Sequence, residues 1–303
     1  MSAESPLFSV IIPSYHHAAY LREAVEGVLA QPAALREVIA VDDASTDDSR
    51  EILAEYARAG ALRLIQKTEN RGVSDSFQLG LEAARAPWVA ICCSDDRWLP
   101  GHLAALAESV ANAGEALVLY TQVGMIDAQG HPLPTGANFF GDRREEGDVF
   151  EALIPGNFVP LQAAVFRREA ALAAGGFDRG IAILQDYDLW SRLALAGPFR
   201  CVDSRRVEVR WHGANLSYPD PAKIQQLQRD RIRTLDKLLA DERARARGPR
   251  VLGRLRAVRA SAWAKLARRT GDRAAAWAAI RDCPARLEYW WTLLRTLARG
   301  RPL

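Results

Sequence analysis

Between Leu7 and Cys93 the chain alternates four short apolar runs with amphipathic segments of helical length, and this alternation restricts its fold more than any other feature. The runs are "LFSVII" (7–12), closed by Pro13, then "EVIAVDDAS" (37–45), "LRLIQK" (62–67) and "PWVAICC" (87–93). The segments between them carry apolar residues at helical spacing, as in Leu21, Ala24, Val25, Val28 and Leu29. Gly60 is a stop signal for the second helix, and Ser74 or Asp75 is the expected cap of the third. Strands separated by helices of this length demand right-handed crossovers and a largely parallel sheet. Uninterrupted apolar strands fit a sheet covered on both faces. The fold class is therefore α/β, Rossmann-like, with a mostly parallel sheet flanked by helices.

Downstream, "GHLAALAESVANAG" (101–114) reads as a helix, "ALVLYTQVGMID" (116–127) as one strand, and "AQGHP" as a turn. Residues 134–160 are rich in Gly, Asn, Asp and Pro and read as a long loop region. "LQAAVFRREAALAAGGFD" is strand then helix, ended by Gly175-Gly176. "LQDYDLWSRLALAG" is a helix with acids at its start, and "RVEVRWHG" is the last strand. Beyond about residue 219 only helical pattern remains. The expected division is an α/β domain over 1–218 and a basic, all-α region over 219–303.

Charge divides the same way. From Asp220 onward there are 21 Lys+Arg and 8 Asp+Glu, against 19 and 29 in the remainder. Within the basic region, "LEYWWTLLRTLARGRPL" sets Trp290, Trp291, Leu294 and Leu297 near one face, followed by Arg295, Arg299 and Arg301. Two readings stand: a helical bundle that buries the tryptophans, or an interfacial helix for an anionic membrane surface. No nucleic-acid motif supports a nucleic-acid partner. The N-terminal segment lacks a basic region and a signal-length apolar stretch, and no run of about 18 apolar residues exists to span a bilayer. Cys92, Cys93, Cys201 and Cys283 have no metal-type spacing and read as structural thiols. The expected location is cytoplasmic, at most peripheral to the inner face of the membrane.

In open α/β sheets, ligands bind beyond the carboxyl ends of the strands. "PSYHH" follows the first strand, "DDAS" ends the second and "SDD" (94–96) ends the fourth, so all three face one rim. Caps and turns explain single acids there. The adjacent Asp95 and Asp96 repel, and a divalent cation removes that cost. Hard oxygen ligands point to Mg²⁺ or Mn²⁺ bridging carboxylates to phosphates.

"FSVIIPSY", "VIAVDDASTDDS", "NRGVS", "CSDDRWLP", "GGFD" and "QDYDLW" together resemble, in their order, family-2 glycosyltransferases of the GT-A fold, over residues ~7–218. The resemblance implies transfer of a sugar from a UDP-, GDP- or dTDP-linked donor to an acceptor hydroxyl, usually with inversion. The acceptor class is a glycan or lipid-linked sugar in cell-surface polysaccharide or glycolipid assembly. By the same resemblance, Pro13 and Tyr15 lie at the donor, with Tyr15 stacking on the nucleobase and Asp43 reading its edge. Asn70 and Arg71 lie near the nucleotide. Asp95 approaches the ribose or a metal-bound water. Asp96 ligates Mn²⁺ or Mg²⁺ in a DXD-type motif, His212 joins the metal or the diphosphate, and Asp186 is the catalytic base.

Three departures from that pattern stand out. Cys93 replaces an acid, Gln185 precedes Asp186 in place of Glu, and Phe77-Gln78 replaces Arg-Asn. Several alternatives stay open. Asp188 is a second candidate base, although in one helix it points about 200° from Asp186. Trp190 lines an acceptor pocket or fills the core, and His212 is a ligand or a plain strand-end residue. His16, His17 and His102 read as loop or surface residues, and Trp98 as packing beneath the metal loop. A sugar nucleotidyltransferase is disfavoured by the lack of Gly in "IIPSYHHAAY". A catalytically inactive nucleotide-sugar scaffold is disfavoured by the presence of Asp43, Asp95, Asp96 and Asp186 together.

Overall fold

β1 (Phe8–Ser14) is buried along its length, and its side chains divide between two cores as strand alternation requires. Ile11 enters one core, Val10 and Ile12 the other. In this computed structural model, which describes residues 7–31, 34–134, 140–213, 215 and 220–299, the chain continues through α1 (Ala18–Leu29), β2 (Leu35–Asp42), α2 (Ser49–Arg58), β3 (Arg63–Gln66), α3 (Val73–Ala83) and β4 (Trp88–Ile91). These are the alternating elements read from the sequence. β2 and β4 flank β1 in parallel, and β3 lies outside β2. The chain therefore reverses its direction of winding at β1, and the crevice between β1 and β4 is the switch point where such sheets bind ligands.

Beyond β4 come β5 (Arg97–Trp98), α4 (His102–Val110), β6 (Val118–Tyr120), β7 (Gly124–Ile126), α5 (Phe150–Leu153), β8 (Ala164–Arg167), α6 (Arg168–Ala173), α7 (Gln185–Ala194), β9 (Phe199–Cys201) and β10 (Val207–Arg210). The main sheet has the order β3-β2-β1-β4-β8-β6-β9, with β8 antiparallel to both its neighbours. α1, α2 and α4 cover one face; α3 and α7 cover the other. The architecture is the mixed α/β, mostly parallel sheet that was expected.

Several local expectations are corrected. β1 runs through Pro13, which pairs with Val41, because a proline removes only one ladder donor and the Asp43 amide still reaches Ser14 O at 2.9 Å. Residues 116–127 form two strands in different sheets, β6 and β7. β10 joins β5 and β7 in a separate three-stranded sheet rather than extending the main one. α3 starts after Gly72 without a side-chain cap; Asp75 instead pairs with Lys67 (2.9 Å) and Arg179 (2.6 Å). The 134–160 loop region contains α5, and its residues 135–139 lie outside the described ones.

The C-terminal region is helical as expected: α8 (Pro221–Ala240), α9 (Glu242–Ala246), α10 (Pro249–Thr270), α11 (Arg273–Asp282) and α12 (Leu287–Arg299). The expected boundary at 218/219 lies outside the described residues. Leu235, Leu238, Ala244, Val251 and Leu255 belong to the same core cluster as Ile11 and Trp190. A second seam of Ala260, Ala264, Ala267, Ala275 and Ala279 joins α10 to α11, close packing that only small residues allow.

Candidate active site

Parallel β1, β2 and β4 deliver their carboxyl ends to one rim. At the end of β1, Tyr15 is 42% exposed and stacks on His16 with ring centroids 4.0 Å apart. Its face is thus oriented but accessible. Pro13 is buried in the strand, short of the rim. His16 is not a simple loop residue: its positive φ lets Nε2 reach the Thr46 amide at 3.0 Å, tying the first rim loop to the second.

At the end of β2, Asp43 accepts from the Arg71 amide (2.9 Å) and pairs with Lys67 Nζ at 2.6 Å. Lys67 is itself buried and bridges Asp43 to Asp75. Asp42 is fully buried and accepts from the Ser45 amide at 3.1 Å, so it shapes the turn. Asn70 accepts from the Gly72 amide at 3.0 Å, while the Arg71 side chain pairs with Glu69 on the exposed rim.

At the end of β4, Asp95 and Asp96 differ in environment. The Asp96 carboxylate accepts from the Arg210 amide at 2.8 Å. Burial, with the charge of Asp95 beside it, holds its carboxyl well above the usual range. Asp95 is buried too, but His212 at 3.2 Å and the nearby His17 outweigh burial and lower it. One carboxylate of the pair thus stays ionised and the other tends to hold a proton, as two like charges in one site must.

The antiparallel pairing of β10 with β5 sets this geometry. Val207 faces Trp98 and Glu208 faces Arg97, and continuing the register carries Arg210 alongside Asp95. Arg210 Nε donates to Asp95 O at 2.8 Å, and its guanidinium lies 4.7 Å from the Tyr20 ring. Tyr20 in turn stacks on His212 at 5.2 Å. His212 therefore meets Asp95, the acid expected at the ribose, rather than pairing first with Asp96. Asn215 Nδ2 adds a contact to Asp95 at 3.2 Å.

His17 corrects the loop-or-surface reading. It is part-buried, its Nδ1 lies 2.8 Å from Ser94 Oγ, and its ring meets His212 edge-on at 5.8 Å. Burial lowers its pKa despite Asp95 nearby, which favours the neutral, ligating form. Among the described residues, His17, Asp95 and His212 bring one ligand atom each within 4.8 Å of one another, as do Cys93, Asp95 and Asp96. A carboxylate held ionised beside a neutral imidazole is a donor set that fits Mn²⁺, with Mg²⁺ served by the carboxylates. Burial pushes the Cys93 thiol well up, and the charges of Asp96, Asp95 and Asp186 act the same way. Asp186 and the acidic pair thus all lie within electrostatic reach of Cys93.

Asp186 stands in the first turn of α7. Burial pushes its carboxyl up to about 6, against hydrogen bonds from the Tyr187 amide (2.6 Å) and Asn157 Nδ2 (2.8 Å). Asp188 points elsewhere: it is fully buried and bound by Arg192 (2.6 Å), Lys237 (2.7 Å) and Thr234 (3.1 Å). Trp190 fills the core, donating to Val159 O at 3.1 Å, and so does not line an acceptor pocket. Gln78 holds the "GGFD" loop by accepting from the Phe177 amide at 2.8 Å; a Cβ on Gly176 would sit 2.1 Å from it. His102 is fully buried against Trp98, not on the surface, and burial lowers it to about 3. Trp98 itself is buried and donates to Gln162 O at 3.0 Å, beneath the acidic loop as expected.

Sequence reasoning missed His17, Tyr20, Lys67, Asn157 and Arg210. Only His17 carried a signal, its place in the first rim loop; the others depend on pairings distant in sequence.

The family profile described as Glycosyl transferase family 2 matches residues 9–172. An uncharacterised protein of Mycobacterium tuberculosis (strain CDC 1551 / Oshkosh) is 30% identical over 246 residues, 78% of this chain and 76% of that one. Chondroitin synthase of Escherichia coli is 29% identical over 213 residues, 70% of this chain but only 30% of the synthase. The crystal structure of S. aureus TarS 1-349 in complex with UDP-GlcNAc superposes with a TM-score of 0.63 at 18% identity, covering 97% of this chain and 80% of that one. The mannosyltransferase PcManGT from Pyrobaculum calidifontis, in complex with GDP-Man and Mn²⁺, gives 0.58 at 20% identity, with 97% and 85% covered.

Proposed function

The chain belongs to glycosyl transferase family 2, and on that premise we propose that it is an inverting, cation-assisted enzyme that moves a sugar from a nucleoside diphosphate to an acceptor hydroxyl in surface polysaccharide or glycolipid assembly. The observation that carries this reading is the shared rim: Asp43 at the end of β2 and Asp95 and Asp96 at the end of β4, with Asp186, raised to about 6, acting on the same Cys93 thiol as the acidic pair. The neighbours that hold UDP-GlcNAc and GDP-Man support a nucleotide-sugar donor, and the Mn²⁺ in one of them supports a cation.

Tyr15 would stack on the base, and Asp43, held by Lys67, would accept from its edge. Asp95 would hold the cation, with His17 and His212 or with Asp96 as its partners. When bound, that ion supplies positive charge against the diphosphate, which gains negative charge as it leaves. The Asp186 carboxylate takes the acceptor hydroxyl proton as the oxygen attacks the anomeric carbon from the face opposite the leaving group. The C–O bond to the diphosphate breaks as the new bond forms, which inverts the centre without an enzyme nucleophile. A general base raised toward neutrality by burial accepts that proton more readily than an ordinary carboxylate.

The test is release of nucleoside diphosphate from UDP-, GDP- and dTDP-sugars, with and without Mn²⁺, by the wild type and Asp96→Ala. The reading expects release that needs the ion and falls about a hundredfold or more in the variant. No release from any donor by either protein would end it.

A further inference from the structure

α12 packs the wrong way round for a helix that serves only its own bundle. Tyr289, Thr292, Leu293 and Thr296 are buried, so three of the four side chains on its inward face bear hydroxyls. Most of its large apolar side chains point out: Leu287, Trp291 (64% exposed), Leu294 (54% exposed) and Leu297, with Trp290 partly covered. Trp277 of α11 extends the patch, edge-on to Trp290 at 5.9 Å. Positions 287, 290, 291, 294 and 297 share one helical face, so the patch is continuous rather than scattered. A soluble surface seldom leaves so much contiguous apolar area uncovered.

The rim of this patch is cationic. Arg268 and Arg295, with Trp291, Thr292 and Glu288, line an open crevice of about 400 Å³. From Lys265 to Arg301 there are nine Lys+Arg and three Asp+Glu. Those three acids are locally engaged: Asp272 caps α11, Asp282 pairs with Arg259 and Glu288 with Arg286. The sequence left open whether these tryptophans are buried; Trp291 is not.

We propose that this face docks on an anionic lipid bilayer, with α12 lying in the interface. Tryptophan and leucine would enter the headgroup–acyl boundary, and Arg268 and Arg295 would meet lipid phosphates, the division of labour of interfacial amphipathic helices. A second copy of the chain is a poorer occupant, because a self-contact of this face would bring two cationic rims together. Among the described residues no helix is long and apolar enough to cross a membrane, so the contact is peripheral.

The experiment is flotation of the full chain with vesicles of phosphatidylcholine alone or phosphatidylcholine with phosphatidylglycerol, together with quenching of tryptophan emission by brominated lipid. The wild type should float with the anionic vesicles and be quenched, and high salt should weaken both. Trp291→Ser with Leu294→Ser should lower partitioning by about tenfold or more. Arg268→Ala with Arg295→Ala should lower it by about tenfold on anionic vesicles only. Thermal melts of all variants should match the wild type, which separates lost docking from lost fold. Donor turnover without vesicles should be unchanged, so this test stands or falls apart from the glycosyl-transfer reading. Failure of the wild type to float, equal flotation by the Trp291/Leu294 variant, or a concentration-dependent dimer lost in that variant would each overturn the proposal.

Discussion

Asp186 and Asp188 are two residues apart with opposite duties. Asp188 is fully buried and satisfied by Arg192, Lys237 and Thr234. Asp188→Ala should strand those cations in the interior and cost about 3–5 kcal/mol of stability, read as a lower urea midpoint. Asp186→Asn should leave stability and donor affinity close to wild type while lowering kcat by roughly a hundredfold or more. Calorimetric titration with a donor separates the two effects. The acid limb of kcat/KM should fall near pH 6, because the base works only when ionised and burial has raised its carboxyl to about 6. A limb near pH 4 would remove Asp186 from that role. Helical periodicity already separated the two acids in the sequence. It did not assign which one the core would claim, because Lys237 and Thr234 come from α8, some fifty residues away.

At the scale of elements, α8 holds the segment that presents the base. Asp230 is buried, and its Oδ2 accepts from the amides of Ala182 (3.1 Å), Ile183 (2.6 Å) and Leu184 (3.3 Å). A carboxylate on the N-terminus of α7 also favours the positive end of that helix. Asp230→Ala should therefore lower kcat more than it changes donor KM, with about 1–3 kcal/mol lost in stability from the unpaired amides. Equal losses in kcat and in folded fraction would reduce Asp230 to scaffold. Acid should loosen a neighbouring contact of α8, the pairing of Asp178 with Arg233 and Lys237. Burial raises Asp178, but Arg233, Lys237 and the Gly180 amide outweigh it and hold the carboxyl well below the usual range. Its stabilisation is present above the unfolded carboxylate range, near pH 4, and drains as pH falls through the lower folded value. The alternating elements of the main sheet were legible because each declares itself within a dozen residues. The β5–β10–β7 sheet was not, since β5 has two residues and pairs with a strand more than a hundred positions on. Without that pairing, the meeting of His212 with Asp95 could not be read.

For the whole molecule, the sequence suggests an appendage hung on a catalytic domain, and charge alone encourages that view. Packing distinguishes its two halves. Leu235 and Leu255 are fully buried in the core that also holds Ile11, Phe166 and Trp190, whereas α11 and the inward face of α12 close a separate alanine seam. Basic composition and helical pattern look the same in both halves, because neither reports what a helix packs against. The halves should respond differently to substitution. Leu235→Ala opens a cavity under α7 and should cost about 2–5 kcal/mol. Leu294→Ser changes a side chain that is 54% exposed, and it should move stability by no more than about 0.5 kcal/mol. Urea denaturation of both variants beside the wild type decides the point. If Leu235→Ala melted like Leu294→Ser, α8 would be an ornament on the fold, and its hold on Asp186 through Asp230 would lose its structural basis.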